Sequence, residues 1–190
     1  MPFVLAVVAL GVVLSYARGG RLRRAGQAPL YWRSLLFLGV AIQVTVDALA
    51  AREVLGDATT LGWLLLLLSQ LLVVGFLIAN RQLPGVFLVA GGLALNAVVM
   101  AANGAMPVDP AAIQALGLGD VEVPLGKHTL LDDATRLPWL ADIIPLPPLR
   151  SIISVGDLVL AAGIVPLTHA LMTHRTPAEQ PGHHDATDQA

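Results

Sequence analysis

The stretch that decides the fold is the run Leu61–Ala79, which reads LGWLLLLLSQLLVVGFLIA. It contains no charged residue, and its five consecutive leucines, Leu64–Leu68, leave no polar face for water. A helix that crosses a bilayer needs about 20 predominantly apolar residues. The run therefore has the composition of a transmembrane helix, and it must be helical because lipid offers the backbone no hydrogen-bond partner.

Composition extends this interpretation to the whole chain. Of 190 residues, 56% are hydrophobic and only 13% are charged, and the mean hydropathy is +0.74. A soluble domain carries about 25% charged residues, so a soluble globular enzyme is disfavoured, and the apolar excess disfavours disorder. We predict an all-α transmembrane bundle forming one unit over residues 1–172, with five spans at about Pro2–Ala17, Ser34–Ala51, Leu61–Ala79, Pro84–Ala102 and Leu149–Met172.

The order of charges predicts the orientation. A signal peptide carries its positive charges before its apolar run, whereas here Arg18, Arg21, Arg23 and Arg24 follow it. The first run is therefore expected to be a retained helix with its N-terminus outside. With five spans the C-terminus lies inside, and the polar tail 173–190 is predicted to be disordered and cytoplasmic. Seven basic residues then lie inside and four outside, as the positive-inside rule requires.

The longest connection, residues 103–148, is predicted to lie outside and to be partly helical. Asp109 followed by Pro110 is typical of a helix start, and Gly117 of a helix end. Apolar residues recur at roughly helical spacing over Leu130–Ile144, which favours an interfacial or re-entrant segment. A proline cluster after it returns the chain to the membrane.

Several classes of function are disfavoured. A net charge of −2 leaves no basic surface for nucleic acid. The absence of cysteine excludes disulfides and thiolate metal sites. The chain also lacks a phosphate-cradling loop, a zinc-protease helix and a nucleophile elbow. The sequence thus predicts no metal site, names no cofactor and leaves open whether the protein is an enzyme.

Polar residues inside the spans are the candidate site, because they are costly in lipid and must face a partner or a wet cavity. Asp47, Asn103 and Asp157 are expected in the outer half of the membrane, on the same side as the loop that carries Lys127, so these polar groups can bind a ligand there. They can equally hold helices together, Asp47 can simply be solvated, and Ser154 can bond its own helix. The candidate ligand-binding residues are Gln43, Asp47, Asn96, Asn103, Lys127 and Ser154.

Asp157 is the strongest candidate for catalysis, because a carboxylate placed about two turns inside the fifth span needs a cation, a proton or water. We expect its partner to be Asn103, Lys127 or His128. His128 is the second candidate: with Asp142 it can form a proton-handling pair, although a lone loop histidine is often only solvated. Asp132 and Asp133 are alternative partners for it.

The motifs resemble a known bacterial family. GGLALNAVVMAANGAMPV (Gly91–Val108), the pair Lys127-His128, LADIIPLPP (Leu140–Pro148) and SVGDLVLAAG (Ser154–Gly163) are similar to an uncharacterised family of small polytopic membrane proteins, a domain of unknown function found mainly in Gram-positive lineages. The resemblance implies a helical bundle in the bacterial cytoplasmic membrane and no established activity.

Two functions remain open. The first is an extracytoplasmic-side site for a small molecule or lipid-soluble ligand, formed by the outer halves of the second, fourth and fifth spans under the long loop. The second is a structural or assembly subunit of a membrane complex, without catalytic activity, whose loop docks a membrane protein partner. In both cases the lipid bilayer is a partner. The two differ in whether the polar side chains line a cavity or bond neighbouring helices.

Overall fold

The computed structural model describes residues 2–50, 59–117 and 128–174. Most of these residues are helical, and three-residue strands and single 3-10 turns occur only between the last two long helices. The helices in chain order are α1 Pro2–Ala17, α2 Leu22–Gln27, α3 Arg33–Ala50, α4 Thr59–Ala79, α5 Val86–Asn103, α6 Pro110–Ala115 and α7 Val155–Thr173.

Among the described residues, three helices are long and apolar enough to cross a membrane. They are α4, over Thr60–Ala79, and the whole of α5 and of α7. The apolar parts of α1 and α3 are shorter, Pro2–Ala17 and Arg33–Val46. Helix α7 packs against both α1 and α5, α5 also contacts α4, and α4 packs against α3. Phe76, Val89 and Leu160 belong to the apolar core where α4, α5 and α7 meet.

Glycine lets α5 and α7 approach within backbone contact. A Cβ at Gly92 would lie 2.5 Å from the carbonyl oxygen of Gly156, and one at Gly163 would lie 2.6 Å from that of Gly85. Gly92 lies seven residues after Gly85, whereas Gly156, which faces Gly92, lies seven residues before Gly163, which faces Gly85. The two segments therefore run in opposite directions, and α5 and α7 pack as antiparallel helices. Small residues in this role are typical of helix pairs that pack in lipid.

The connection between α5 and α7 folds into what we call the loop subdomain, residues 104–117 and 128–154. Asp109 caps α6 by accepting a hydrogen bond from the N–H of Ala111 at 2.9 Å. Pro110 occupies the first helical position, and Gly117 follows the helix with φ +66°. These three positions confirm the helix start and end predicted from the sequence.

The strands of the loop subdomain were not predicted. Strand β1, Met106–Val108, pairs in parallel with β2, His128–Leu130, and β3, Ile144–Leu146, pairs antiparallel with β4, Ser151–Ile153. The predicted interfacial helical pattern over Leu130–Ile144 is wrong in its local structure, because this stretch contains turns and one 3-10 turn instead.

The start of the last long helix also differs from the prediction. Helix α7 begins at Val155, six residues after the predicted boundary at Leu149, because Ser151–Ile153 forms strand β4. An apolar stretch of this length does not distinguish a strand from the first turn of a helix. Of the predicted disordered tail 173–190, Thr173 is instead the last residue of α7, and residues 175–190 lie outside the described residues.

Candidate functional site

A closed hydrogen-bond network joins α5 to the start of α7. Asn96 donates from Nδ2 to Oδ1 of Asp157 at 2.8 Å, and Ser154 donates from Oγ to Oδ1 of Asn96 at 2.9 Å. Ser154 and Asp157 also form a reciprocal capping box, in which each side chain accepts the other's backbone N–H at 3.0 Å. Ser154 is fully buried. Each of the three side chains therefore has a partner within the network.

The position of Asp157 corrects the prediction. It lies in the first turn of α7, not two turns inside, because the helix begins at Val155. A carboxylate there accepts backbone N–H groups and interacts favourably with the helix dipole. Its partner on the neighbouring helix is Asn96, whereas the side chain of Asn103 bonds elsewhere.

Asn103 fastens the loop subdomain to the end of α5. Its Nδ2 donates to the carbonyl oxygen of Arg136 at 2.9 Å, and its Oδ1 accepts the N–H of Arg136 at 2.8 Å. The same Nδ2 also donates to the carbonyl oxygen of Val99 at 2.9 Å. One amide side chain therefore bonds the loop backbone as a neighbouring strand would, and we call this arrangement an amide clamp.

A second amide clamp, which the sequence analysis missed, lies at the end of α4. Asn80 donates from Nδ2 to the carbonyl oxygen of Tyr31 and accepts the N–H of Tyr31, both at 2.9 Å. It also donates to the carbonyl oxygen of Phe76 at 2.8 Å, and its side chain is fully buried. Asn80 directly follows an apolar run and therefore resembled an ordinary loop residue. The sequence signal that could have identified it is its position at the exact end of the span.

Gln43 bonds the neighbouring helix. Its Oε1 accepts a hydrogen bond from the buried Ser69 on α4 at 3.0 Å, which is the structural alternative given for it above. Asp47 lies on the helical backbone of α3, but its side chain lies outside what the structure describes. Whether Gln43 and Asp47 act together therefore stays a prediction.

The loop subdomain brings His128 and Asp142 together, as their proposed pairing requires. Strand β1 holds both: Met106 is in register with His128, and the carbonyl oxygen of Pro107 accepts the N–H of Asp142 at 2.9 Å. Nδ1 of His128 lies 3.8 Å from Oδ2 of Asp142, which is within ion-pair range and longer than a hydrogen bond. Asp142 is buried and His128 is about one-third exposed. Lys127 lies outside the described residues.

The described residues also form a cleft that was not predicted, between α4 and α5. Its only strongly polar lining residue is Gln70, whose Nε2 lies 3.7 Å from Sδ of Met100. The buried Oε1 of Gln70 has no hydrogen-bond partner among the described residues. Ser69 and Gln70 interrupt the apolar run Leu61–Ala79, so the rule that polar residues inside spans are candidate site residues would have found them both. None of the predicted site residues lines this cleft.

A site for a metal ion is not evident in the part of the chain that the structure describes. There, no three His, Asp or Glu side chains lie close enough together to hold an ion. Ser154 and Asn96 bond within the network, and Asn103 bonds the loop backbone. The predicted site residues whose side chains are described thus separate into four places: the network at the start of α7, the clamp at the end of α5, the His128–Asp142 pair, and the contact of Gln43 with Ser69 between α3 and α4.

The fold and these contacts define a mostly helical protein with apolar helices of membrane-spanning length and polar groups that join its elements. The chain belongs to the Family of unknown function (DUF5317), whose model matches residues 27–168. This confirms the resemblance given by the motifs between Gly91 and Gly163.

One relative is similar over about half of the chain. An uncharacterised protein of the bacterium Thermotoga maritima is 39% identical over 101 residues, which are 51% of this chain and 58% of that protein. The match therefore covers less than two thirds of the relative's length. No solved structure matches this chain.

Proposed function

We propose that this chain is a five-span protein of the bacterial cytoplasmic membrane that acts as a structural or assembly subunit of a membrane complex. Its N-terminus lies outside, its C-terminus inside, and the loop subdomain on the outer side. The observation that carries the functional proposal is the bonding of the polar side chains. Asn96, Ser154 and Asp157 bond one another, and Gln43 bonds Ser69.

Exposure supports the membrane part of the proposal. Large apolar side chains on the long helices are exposed, while Ser15, Ser69, Asn80 and Ser154 are buried. In water the exposure of so much large apolar surface would be costly, whereas the four buried polar side chains are tolerated because each is hydrogen-bonded. The exposed apolar residues include Leu5, Phe37, Val44, Leu71, Phe87 and Leu158.

The meeting of helix ends supports the alternation of spans. The N–H of Arg21, just after α1, donates to the carbonyl oxygen of Met172 near the end of α7 at 2.8 Å. Tyr31, just before α3, is clamped to Asn80, just after α4. An arrangement with the N-terminus outside requires these four helix ends to lie on the inner side together.

A second candidate function is favoured by one observation, the proximity of His128 and Asp142. In this alternative the outer side of the protein binds a small molecule or lipid-soluble ligand, and the pair moves a proton or holds an anionic group. Lys127 is adjacent in sequence and adds positive charge. Asn103 and Asn96 then serve to position the loop rather than to bind the ligand.

Complementation of a deletion strain tests the two functions against each other. Asp142→Asn, His128→Gln and Asp157→Asn are expressed in the strain, and the amount of folded protein in the membrane is measured beside the growth or lipid-composition phenotype. A structural subunit predicts that each variant restores the phenotype in proportion to its folded amount. A ligand site predicts that Asp142→Asn or His128→Gln is present at the wild-type amount and fails to complement, which would overturn the structural proposal.

A further inference from the structure

We propose that the end of the bundle formed by the α1–α3 connection binds the headgroups of anionic phospholipids. This inference rests on the membrane-spanning part of the proposed function. It concerns the side opposite the loop subdomain, and no site has been assigned there above. We call this region the basic end and define it by four arginines: Arg18, Arg21, Arg33 and Arg81.

Backbone contacts place these arginines on one end of the molecule. The N–H of Gly20 donates to the carbonyl oxygen of Ser15 at 2.8 Å, and that of Arg21 to Met172 at 2.8 Å, so the connection turns back against α7. The clamp of Tyr31 to Asn80 holds its other end against α4. Arg33 and Arg81 therefore come next to the same connection.

The described segments around these arginines carry no acidic side chain. Residues 17–36, 79–86 and 170–174 include no Asp or Glu. The described aspartates outside α3 lie instead in the loop subdomain or at the start of α7, on the other end. Arg18, Arg21 and Arg81 are exposed. A concentration of positive charge of this kind attracts anions, and each arginine near an anionic membrane adds to that attraction.

Aromatic residues indicate that the anion is a membrane headgroup. Tyr16 in the last turn of α1, and Tyr31 and Trp32 on the connection just before α3, are exposed. Amphipathic rings are enriched where a protein meets the boundary between lipid tails and headgroups. The arginines follow the apolar helices within a few residues, so they lie at headgroup depth when the helices cross the bilayer.

Lipid enrichment measures this binding directly. The full chain is purified from bilayers that contain phosphatidylglycerol and phosphatidylcholine, and the retained lipids are quantified by mass spectrometry. We expect retained phosphatidylglycerol to exceed its share of the mixture. In Arg18→Gln/Arg21→Gln/Arg81→Gln the binding should fall by about fivefold for each arginine that contributes fully. None of these three side chains makes a hydrogen bond that holds the fold in the described structure.

The matched control is Arg136→Gln/Arg150→Gln in the loop subdomain, which should retain the wild-type lipid ratio. An equal loss in this control, or a wild-type ratio equal to that of the mixture, would overturn the proposal. So would displacement of the lipid by millimolar inorganic phosphate at matched ionic strength, because the site would then take free phosphate. Equal unfolding midpoints of all variants in phosphatidylcholine alone establish that folding is unchanged.

The acidic residues of the segment 175–190, which lies outside the described residues, are the competing occupant. Neutralising Glu179, Asp185 and Asp188 should leave the lipid ratio of the otherwise wild-type chain unchanged. Enrichment that arises only after this neutralisation would mean that the chain covers its own basic end, and would overturn the proposal. Resistance of the protein to carbonate extraction reports separately on whether the chain is an integral membrane protein at all.

Discussion

At the scale of single residues, two asparagines fix loops that are distant in sequence. Asn80 and Asn103 each use both ends of the amide on one loop residue and donate a further bond to their own helix four residues back. A carboxylate has no donor, so aspartate cannot replace either amide. Each amide bonds both the N–H and the C=O of one loop residue, which requires the same alignment of two hydrogen bonds as a residue pair in a β-sheet.

Asn80→Asp should therefore destabilise the fold more than Asn103→Asp. The carboxylate at position 80 would face the carbonyl oxygens of Tyr31 and Phe76 with no access to water, and a buried polar group without a partner costs about 1–3 kcal/mol, or more when charged. Asn103 is partly exposed, so water compensates part of its loss. The measurement is the thermal unfolding midpoint in detergent.

The control for these two variants is Gln114→Glu, which makes the same chemical change at an exposed position on α6. Its midpoint should equal that of the wild type. A larger decrease for Asn103→Asp than for Asn80→Asp would contradict the order of burial on which the prediction depends.

At the scale of elements, the crossing of α5 and α7 depends on two glycine pairs. Gly92→Ala should lower the unfolding midpoint, because its Cβ would lie 2.5 Å from the carbonyl oxygen of Gly156 and 2.6 Å from Cβ of Leu160. Overpacking of this kind costs about 1–3 kcal/mol. The neighbouring Gly91 offers a matched control, because a Cβ there would meet Val159 only at 4.0 Å.

Gly91→Ala should be neutral or slightly stabilising, since alanine is the better helix former. Both variants are compared by unfolding midpoint and by yield in the membrane fraction. Equal effects of the two substitutions would mean that helix propensity, and not the close approach of α7, decides the outcome.

The sequence predicted the long apolar helices and the caps of α6, because hydropathy and capping residues act locally. It did not predict the strands of the loop subdomain, because each is three residues long and is stabilised by partners distant in sequence. The start of α7 was missed although a signal was present. Ser154 and Asp157 have the spacing of a capping box, but inside an apolar stretch they were interpreted as polar residues in lipid.

The sequence identified residues that take part in polar contacts, but not which of them bond to one another. Of the three aspartates offered as partners for His128, Asp142 lies within ion-pair range of it. The expected partner of Asp157 was wrong, because two turns of α5 separate Asn96 from Asn103 and the helix register was unknown. Pairing between helices depends on how far each helix is shifted along its axis, which one sequence does not specify.

At the scale of the whole molecule, the proposed orientation has a direct test. The chain contains no cysteine, so single cysteines can be introduced without background. Ala134→Cys on the loop subdomain should react with a membrane-impermeant maleimide in intact cells, and Gly26→Cys on α2 should react only after the membrane is opened. Both positions are exposed, and a Cβ at Gly26 meets no atom within 4 Å. The reverse pattern would place the loop subdomain in the cytoplasm.

The clamp between Asn80 and Tyr31 also sets an order of events during synthesis. Its two residues are 49 positions apart, so at about 5–20 residues per second the ribosome adds Asn80 some 2–10 seconds after Tyr31. Throughout that interval the N–H and C=O of Tyr31 have no Asn80 to bond, and water or headgroups must satisfy them. The α1–α3 connection therefore cannot reach its final position before α4 has been made, which couples the placement of the first helices to the synthesis of a later one.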